Sequence, residues 1–226
     1  MSIRVQIYTA QTTDEALGLA ALGVDHVGLT PADLGLPGEI DVPRARAIRD
    51  ALVGHARSVA LSVATDLPAI AEMFDAVRPD ILHLCGPPGA VGPRDVETLR
   101  VQVGTASIMQ AVAVTGPEAV DVARAFAPVV DYLLLDSVAP HIPGVGAAGT
   151  THDWSISAEI VEAVDVPVIL AGGLSPANVA AAVTRVRPWG VDSLTHTNRT
   201  MASGGFSKDL DLVEAFVTAA REAHQQ

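Results

Sequence analysis

A short run of apolar, mostly branched residues followed by an amphipathic helical pattern recurs eight times along this chain, and that recurrence limits the folds open to it. The candidate strands are 4–8, 24–29, 58–63, 81–84, 107–114, 129–135, 168–171 and 191–195. Each is short and bounded by turn residues, as strands buried on both faces are. Thr12-Thr13-Asp14-Glu15 reads as a capping box ahead of the first helix, with Gly23 just past its end. Pro43, Pro68, Pro93, Pro117 and Pro176 sit near the starts of five other helices, where a missing N–H costs little. Unbroken alternation predicts one parallel α/β domain over residues 1–226, and eight units predict a single (β/α)8 TIM barrel. A doubly wound sheet is the alternative, but no G-x-G-x-x-G turn follows the first strand.

Composition narrows the function classes. Apolar residues at 49% and charged residues at 18% exclude intrinsic disorder, and aromatics at 4% leave the core to Ala, Val, Leu and Ile. Only 14 basic residues, thinly spread against 26 acidic ones for a net charge of −12, argue against a nucleic-acid partner. No apolar run reaches the roughly 18 residues of a membrane span, and the first residues carry no signal-peptide pattern. The single cysteine, Cys85, rules out an internal disulfide and a Cys-x-x-Cys zinc site. The expectation is a soluble cytoplasmic protein with a small-molecule substrate, no membrane partner and no cofactor. Its oligomeric state stays open.

A weak repeat places an aspartate ahead of strands two, four, six and eight: Asp25, Asp80, Asp131 and Asp192. Side chains alternate along a strand, so the third and fifth residues after each aspartate share one face. Those are Gly28 and Thr30, His83 and Cys85, Leu134 and Asp136, Thr195 and Thr197. The polar ones fall at carboxyl ends, the catalytic face of a barrel. Three connections on that face are long: 30–41, 137–153 and 195–208.

Asp136 ends the apolar run Leu133-Leu134-Leu135, and an acid there is costly unless hydrogen-bonded or used. His83 and Cys85 are candidates for proton transfer, and Tyr8 ends the first strand facing the same cavity. Gly172-Gly173 before Ser175 and Pro176 form a strand–loop–helix start that suits an anion. His26, His141, His152 and His196, with Asp136 and His83, could hold a metal, but no H-x-H or H-x-x-x-H spacing occurs, so none is assigned.

The stretch Tyr132-Leu133-Leu134-Leu135-Asp136-Ser137 and the later G-A-A-G-T-T-H-D-W over 146–154 resemble the phosphoribosylanthranilate isomerase family, with its L-L-D-T strand end and G-G-T-G-x-T-x-D-W segment. The resemblance continues through 168–179 and 187–192. It is looser before residue 129, where V-Q-I-Y stands against V-K-I-C-G and L-H-L-C-G against V-Q-L-H-G.

The resemblance implies an Amadori rearrangement, in which a phosphoribosyl amine opens and becomes an aminoketose. An acid at the end of strand six, here Asp136, protonates the ring oxygen. A cysteine at the end of strand one, here Tyr8, takes the C2 proton. An arginine in the loop after strand two, where Gly38 falls, holds the aglycone carboxylate. Phosphate lies on the loops after strands seven and eight, here Gly172, Gly173, Thr195 and Thr197. The departures at Tyr8, Gly38 and the last loop predict weak turnover of the family's own substrate and an isomerase of some small sugar or sugar phosphate. A metal-dependent epimerase or lyase, and an inactive metabolite-binding paralogue, are the alternatives.

Overall fold

The structure, a computed structural model, describes residues 2–138, 144–146, 149–202 and 204–225. Eight parallel strands form the barrel: β1 Arg4–Tyr8, β2 His26–Pro31, β3 Arg57–Ser62, β4 Ile81–Leu84, β5 Ser107–Ala113, β6 Tyr132–Asp136, β7 Val168–Leu170 and β8 Gly190–Ser193. Neighbours in sequence are neighbours in the sheet, and pairing of β1 with both β2 and β8 closes it. Helices α1 Thr13–Ala21, α2 Val42–Ala51, α3 Leu67–Val77, α4 Pro93–Val103, α5 Ala119–Phe126, α6 Trp154–Ala163, α7 Val179–Val186 and α8 Leu210–His224 alternate with the strands. Among the described residues no helix is long and apolar enough to cross a membrane.

Local chemistry sets the boundaries. Thr12 caps α1 by accepting from Glu15 N at 3.1 Å, but the Glu15 carboxylate reaches back to Gln11 N instead of closing the box on Thr12. Asp41, Asp66 and Asp153 cap α2, α3 and α6, and prolines occupy the first turn of α2, α3 and α4. Pro117 and Pro176 lie ahead of α5 and α7, inside the preceding turns. Strands two and six begin later than the apolar runs suggest. Val24 N returns to Leu19 O and Val129 N to Phe126 O, so these residues close the preceding helices.

Side-chain alternation divides the core. Ile108, Val112, Leu133 and Leu135 point outward into the layer shared with the helices. Met109 and Leu134 point inward with Tyr8, Val59, Ile81 and Ile169. The amino-terminal end of the barrel is plugged by scarce aromatics. Tyr132 and Trp189 stack 5.3 Å apart, His26 lies 5.7 and 5.8 Å from them, and Arg57 donates to the Tyr132 hydroxyl at 2.8 Å. His26 is therefore a core residue. Burial and nearby Arg57 lower its pKa to about 4, which keeps it neutral.

Candidate active site

The carboxyl ends of the strands deliver the polar side chains to one mouth, as the alternation requires. Thr30, His83, Cys85, Leu134 and Asp136 all line one cavity there. Most of its remaining wall is apolar, from Leu36, Pro37, Leu61, Val63, Val145 and Leu194. The parity expected for strands two, four and six is thus what the barrel uses. Strand eight differs by one residue: Asp192 and Leu194 face this cavity, and Thr195–Thr197 turn into a 3-10 helix.

Tyr8 reaches across the barrel. Its hydroxyl lies 2.8 Å from His83 Nδ1, and His83 Nε2 lies 3.2 Å from Cys85 Sγ. The ring rests on Gly28, its register partner on β2, where any Cβ would overlap it. A large residue at the end of β1 is therefore matched by the absence of a side chain on the neighbouring strand. Burial lowers the His83 pKa to about 3, so the imidazole is neutral. Burial pushes both the Tyr8 phenol and the Cys85 thiol well above their ordinary values, helped at Tyr8 by Cys85 and Asp192 and at Cys85 by Asp136 and Asp192.

Asp136 is 8% exposed. Ser137 N donates to its Oδ1 at 2.7 Å, and the Ser137 hydroxyl lies 3.3 Å away. Burial outweighs both bonds and raises its pKa to about 7. Asp192, 6% exposed, sits near it on β8, and its pKa rises to about 8 through burial and the charge of Asp136. Asp192 Oδ1 is buried without a hydrogen-bond partner. Alternation from its neighbours missed Asp192, because the repeat treated it as a strand-start aspartate. The signal was present: mostly polar Ser-Leu-Thr-His follows Asp192, where mostly apolar runs follow the other three.

A second, smaller cavity is lined by Gly149, Gly172, Gly173, Ser193, Thr195 and His196 and shares Asp136, Asp192 and Leu194 with the first. Gly172 and Gly173 adopt φ of +80° and +61°, a backbone that favours glycine. Asn178, and not Ser175, precedes α7, and its side chain accepts from Ser175 N at 2.8 Å. Thr195 lines this cavity. Thr197 is turned elsewhere: fully buried, its hydroxyl donates to Leu194 O at 3.1 Å and neighbours the buried Lys208 ammonium. Lys208, unremarked in the sequence, also donates to Tyr8 O, to Leu194 O at 3.1 Å and to Asn198 Oδ1 at 2.6 Å. It ties the end of β1 to the hairpin Asn198–Thr200 and Phe206–Lys208.

The described residues of the connection after β6 pack against the mouth. Val145 N donates to Cys85 O at 3.0 Å, Gly146 N to Ser137 O at 2.9 Å, and the Ser137 hydroxyl to Thr150 O at 2.8 Å. His196 Nε2 lies 3.1 Å from Gly149 O, and His152 Nε2 lies 2.8 Å from Ser157 Oγ. His141 lies outside the described residues. Among the described residues no three His, Cys, Asp or Glu side chains converge as metal ligands. Gly38, at φ +70°, approaches Thr9 and Phe206 so closely that any side chain there would overlap the Thr9 hydroxyl. The fold thus excludes an arginine at 38.

A family model described as N-(5'phosphoribosyl)anthranilate (PRA) isomerase matches residues 54–219. The N-(5'-phosphoribosyl)anthranilate isomerase of Haloferax volcanii is 37% identical over 224 residues, 97% of this chain and 94% of that protein. The phosphoribosyl anthranilate isomerase of Thermotoga maritima superposes with a TM-score of 0.77 at 26% identity, covering 97% and 99% of the two chains. A solved phosphoribosyl anthranilate isomerase in complex with reduced 1-(o-carboxyphenylamino)-1-deoxyribulose 5-phosphate shares the fold, with a TM-score of 0.75 at 24% identity over 97% and 99% of the two chains. These relatives lend no support to the expected weakening of the family's own reaction, nor to the metal-dependent epimerase or inactive paralogue.

Proposed function

The chain belongs to the N-(5'-phosphoribosyl)anthranilate isomerase family, and from that premise we propose that it converts N-(5'-phosphoribosyl)anthranilate into the corresponding aminoketose phosphate. The observation that carries this reading is the pair of cavities meeting at Asp136 and Asp192. The apolar chamber suits a planar aromatic ring, and the glycine-lined cavity suits a phosphate. The carboxyls at their junction lie where the sugar between those ends would react.

Asp136 is the general acid for the ring oxygen. Burial keeps part of it protonated near neutral pH, the range in which a proton donor works best. Backbone N–H groups around Gly172 and Gly173, with the Thr195 hydroxyl, take the phosphate. Tyr8, His83 and Cys85 close the chamber floor as one hydrogen-bonded chain and keep water from the opened sugar. Thr197 acts at one remove, by holding the turn that presents Thr195.

The test is direct. The purified chain, given N-(5'-phosphoribosyl)anthranilate, should yield a product with a ketone carbon at C2, followed by 13C NMR. Substrate that decays only at the rate of a protein-free control overturns the reading.

A further inference from the structure

Ring opening by Asp136 leaves a cation whose C2 proton must go to a base, and the residue at the end of β1 cannot accept it. The Tyr8 hydroxyl is engaged by His83 Nδ1, and its ring is fixed against Gly28. His83 has its other nitrogen on Cys85 Sγ. A neutral imidazole has one donor and one acceptor nitrogen, so either tautomer spends both on Tyr8 and Cys85. The Cys85 thiol, held by His83 and near two carboxyls, is disfavoured as a thiolate.

One group at the mouth keeps an oxygen free, with the Gln6 side chain and the Lys208 charge nearby to favour its ionised form. Asp192 borders both cavities, its Oδ1 is buried without a hydrogen-bond partner, and it forms no salt bridge among the described residues. Its register partner on β1 is Gln6, two residues before Tyr8 and on the same face, so it stands beside the strand end that bears the base elsewhere in the resemblance. We propose that the Asp192 carboxylate is the base that removes the C2 proton; this rests on the isomerase reading above.

Asp136 gives its proton to the ring oxygen, the C1–O bond breaks with its electron pair going to that oxygen, and the nitrogen lone pair forms C1=N. Asp192 then takes the C2 proton. The C2–H pair becomes C1=C2, the C=N π pair returns to nitrogen, and the resulting enaminol tautomerises to the ketone. Asp136 ends ionised and Asp192 protonated, so one proton passed back between them restores the start. Burial, with the charge of Asp136 acting on Asp192, favours one shared proton on this pair near neutral pH, and the reactive form is the one with that proton on Asp136 and Asp192 ionised.

The experiment compares Asp192→Asn and Asp136→Asn using substrate carrying hydrogen or deuterium at C2, with binding of reduced 1-(o-carboxyphenylamino)-1-deoxyribulose 5-phosphate as the check on folding. Asp192→Asn should lower kcat by roughly 10²–10⁴-fold, the usual worth of a positioned proton-transfer group, and expose a primary isotope effect from C2. Asp136→Asn should slow ring opening and show no such effect. Asp192→Ala should regain turnover with added formate, a diffusible carboxylate. Asp192→Asn that turns over within about threefold of the parent, or that is slow without an isotope effect, overturns the proposal while the isomerase reading stands. A parent chain without turnover overturns both.

Discussion

Two sets of aspartates occupy opposite ends of this barrel and behave oppositely. At the amino-terminal end, Asp25, Asp80 and Asp131 accept Val5 N, Ser58 N and Ile108 N at 2.9, 2.8 and 2.7 Å. Each fastens the start of the preceding odd-numbered strand. Arg4 lies 2.6 Å from Asp25 and Arg100 lies 2.7 Å from Asp131. At the carboxyl end, Asp136 has the donors of one serine and Asp192 leaves an oxygen unpaired. Neighbours, not residue type, decide the role. A carboxylate at the strand start that accepts a neighbouring strand's N–H is a strand clasp. One in a buried mouth, where desolvation outweighs the few donors it has, is poised to hold or take a proton.

The largest effect expected from breaking this contrast is catalytic. Asp136→Asn should lower kcat by roughly 10²–10⁴-fold, while the affinity for the reduced product analogue stays within about threefold. Steady-state kinetics and calorimetric binding check both, and an unchanged kcat would remove Asp136 from the reaction.

Stability should carry the same signature through pH. Both mouth carboxyls titrate above their ordinary 3.8 when folded, near 7 and near 8. Protonation therefore favours the folded state. The contribution is full below about pH 4 and is lost as pH rises through 7 and 8. For Asp136 alone, moving from 3.8 to about 7 is worth at most about 4 kcal/mol. Urea unfolding from pH 5 to 8 should show the parent losing stability relative to the Asp136→Asn, Asp192→Asn double variant. Parallel curves would mean the pair is not held protonated.

The other end of the barrel should respond the opposite way. Asp80→Ala strips the acceptor from Ser58 N and the Ser58 hydroxyl and should cost about 1–3 kcal/mol in urea unfolding, with kcat/KM near that of the parent. A fall in kcat without loss of stability would contradict its role as a clasp. The smallest effect belongs to Arg4→Gln. Arg4 is 46% exposed, its pair with Asp25 is screened by water, and its loss should cost at most about 1 kcal/mol.

The fold could be read from the chain because the strand–helix units announce themselves locally, through short branched runs, turn residues and prolines at or just ahead of helix starts. Asp136, His83 and Cys85 could be found the same way, since alternation over three residues from a strand-start aspartate is geometry within one strand. Asp192 was misread because β8 sits in a different register, with Gly190 beside both Arg4 and Ile169, so the aspartate lies within the strand and not ahead of it. Lys208 gave no signal, because the carbonyls that surround it come from β1 and the final connection, distant in sequence.

By itself the sequence determined the eight-unit alternation, the closed parallel barrel and the face on which chemistry would collect, because period and capping act over a few residues. Only the tertiary structure decided what that chemistry can be. It brought Tyr8 across the barrel to His83 over a glycine on the next strand, closed the backbone at Gly38 against Thr9 and Phe206, and buried Asp136 and Asp192 together, with neither in a salt bridge among the described residues. Those outcomes depend on distances between residues far apart in the chain. The energy of a charge depends on what surrounds it in space, and a linear pattern does not carry that information.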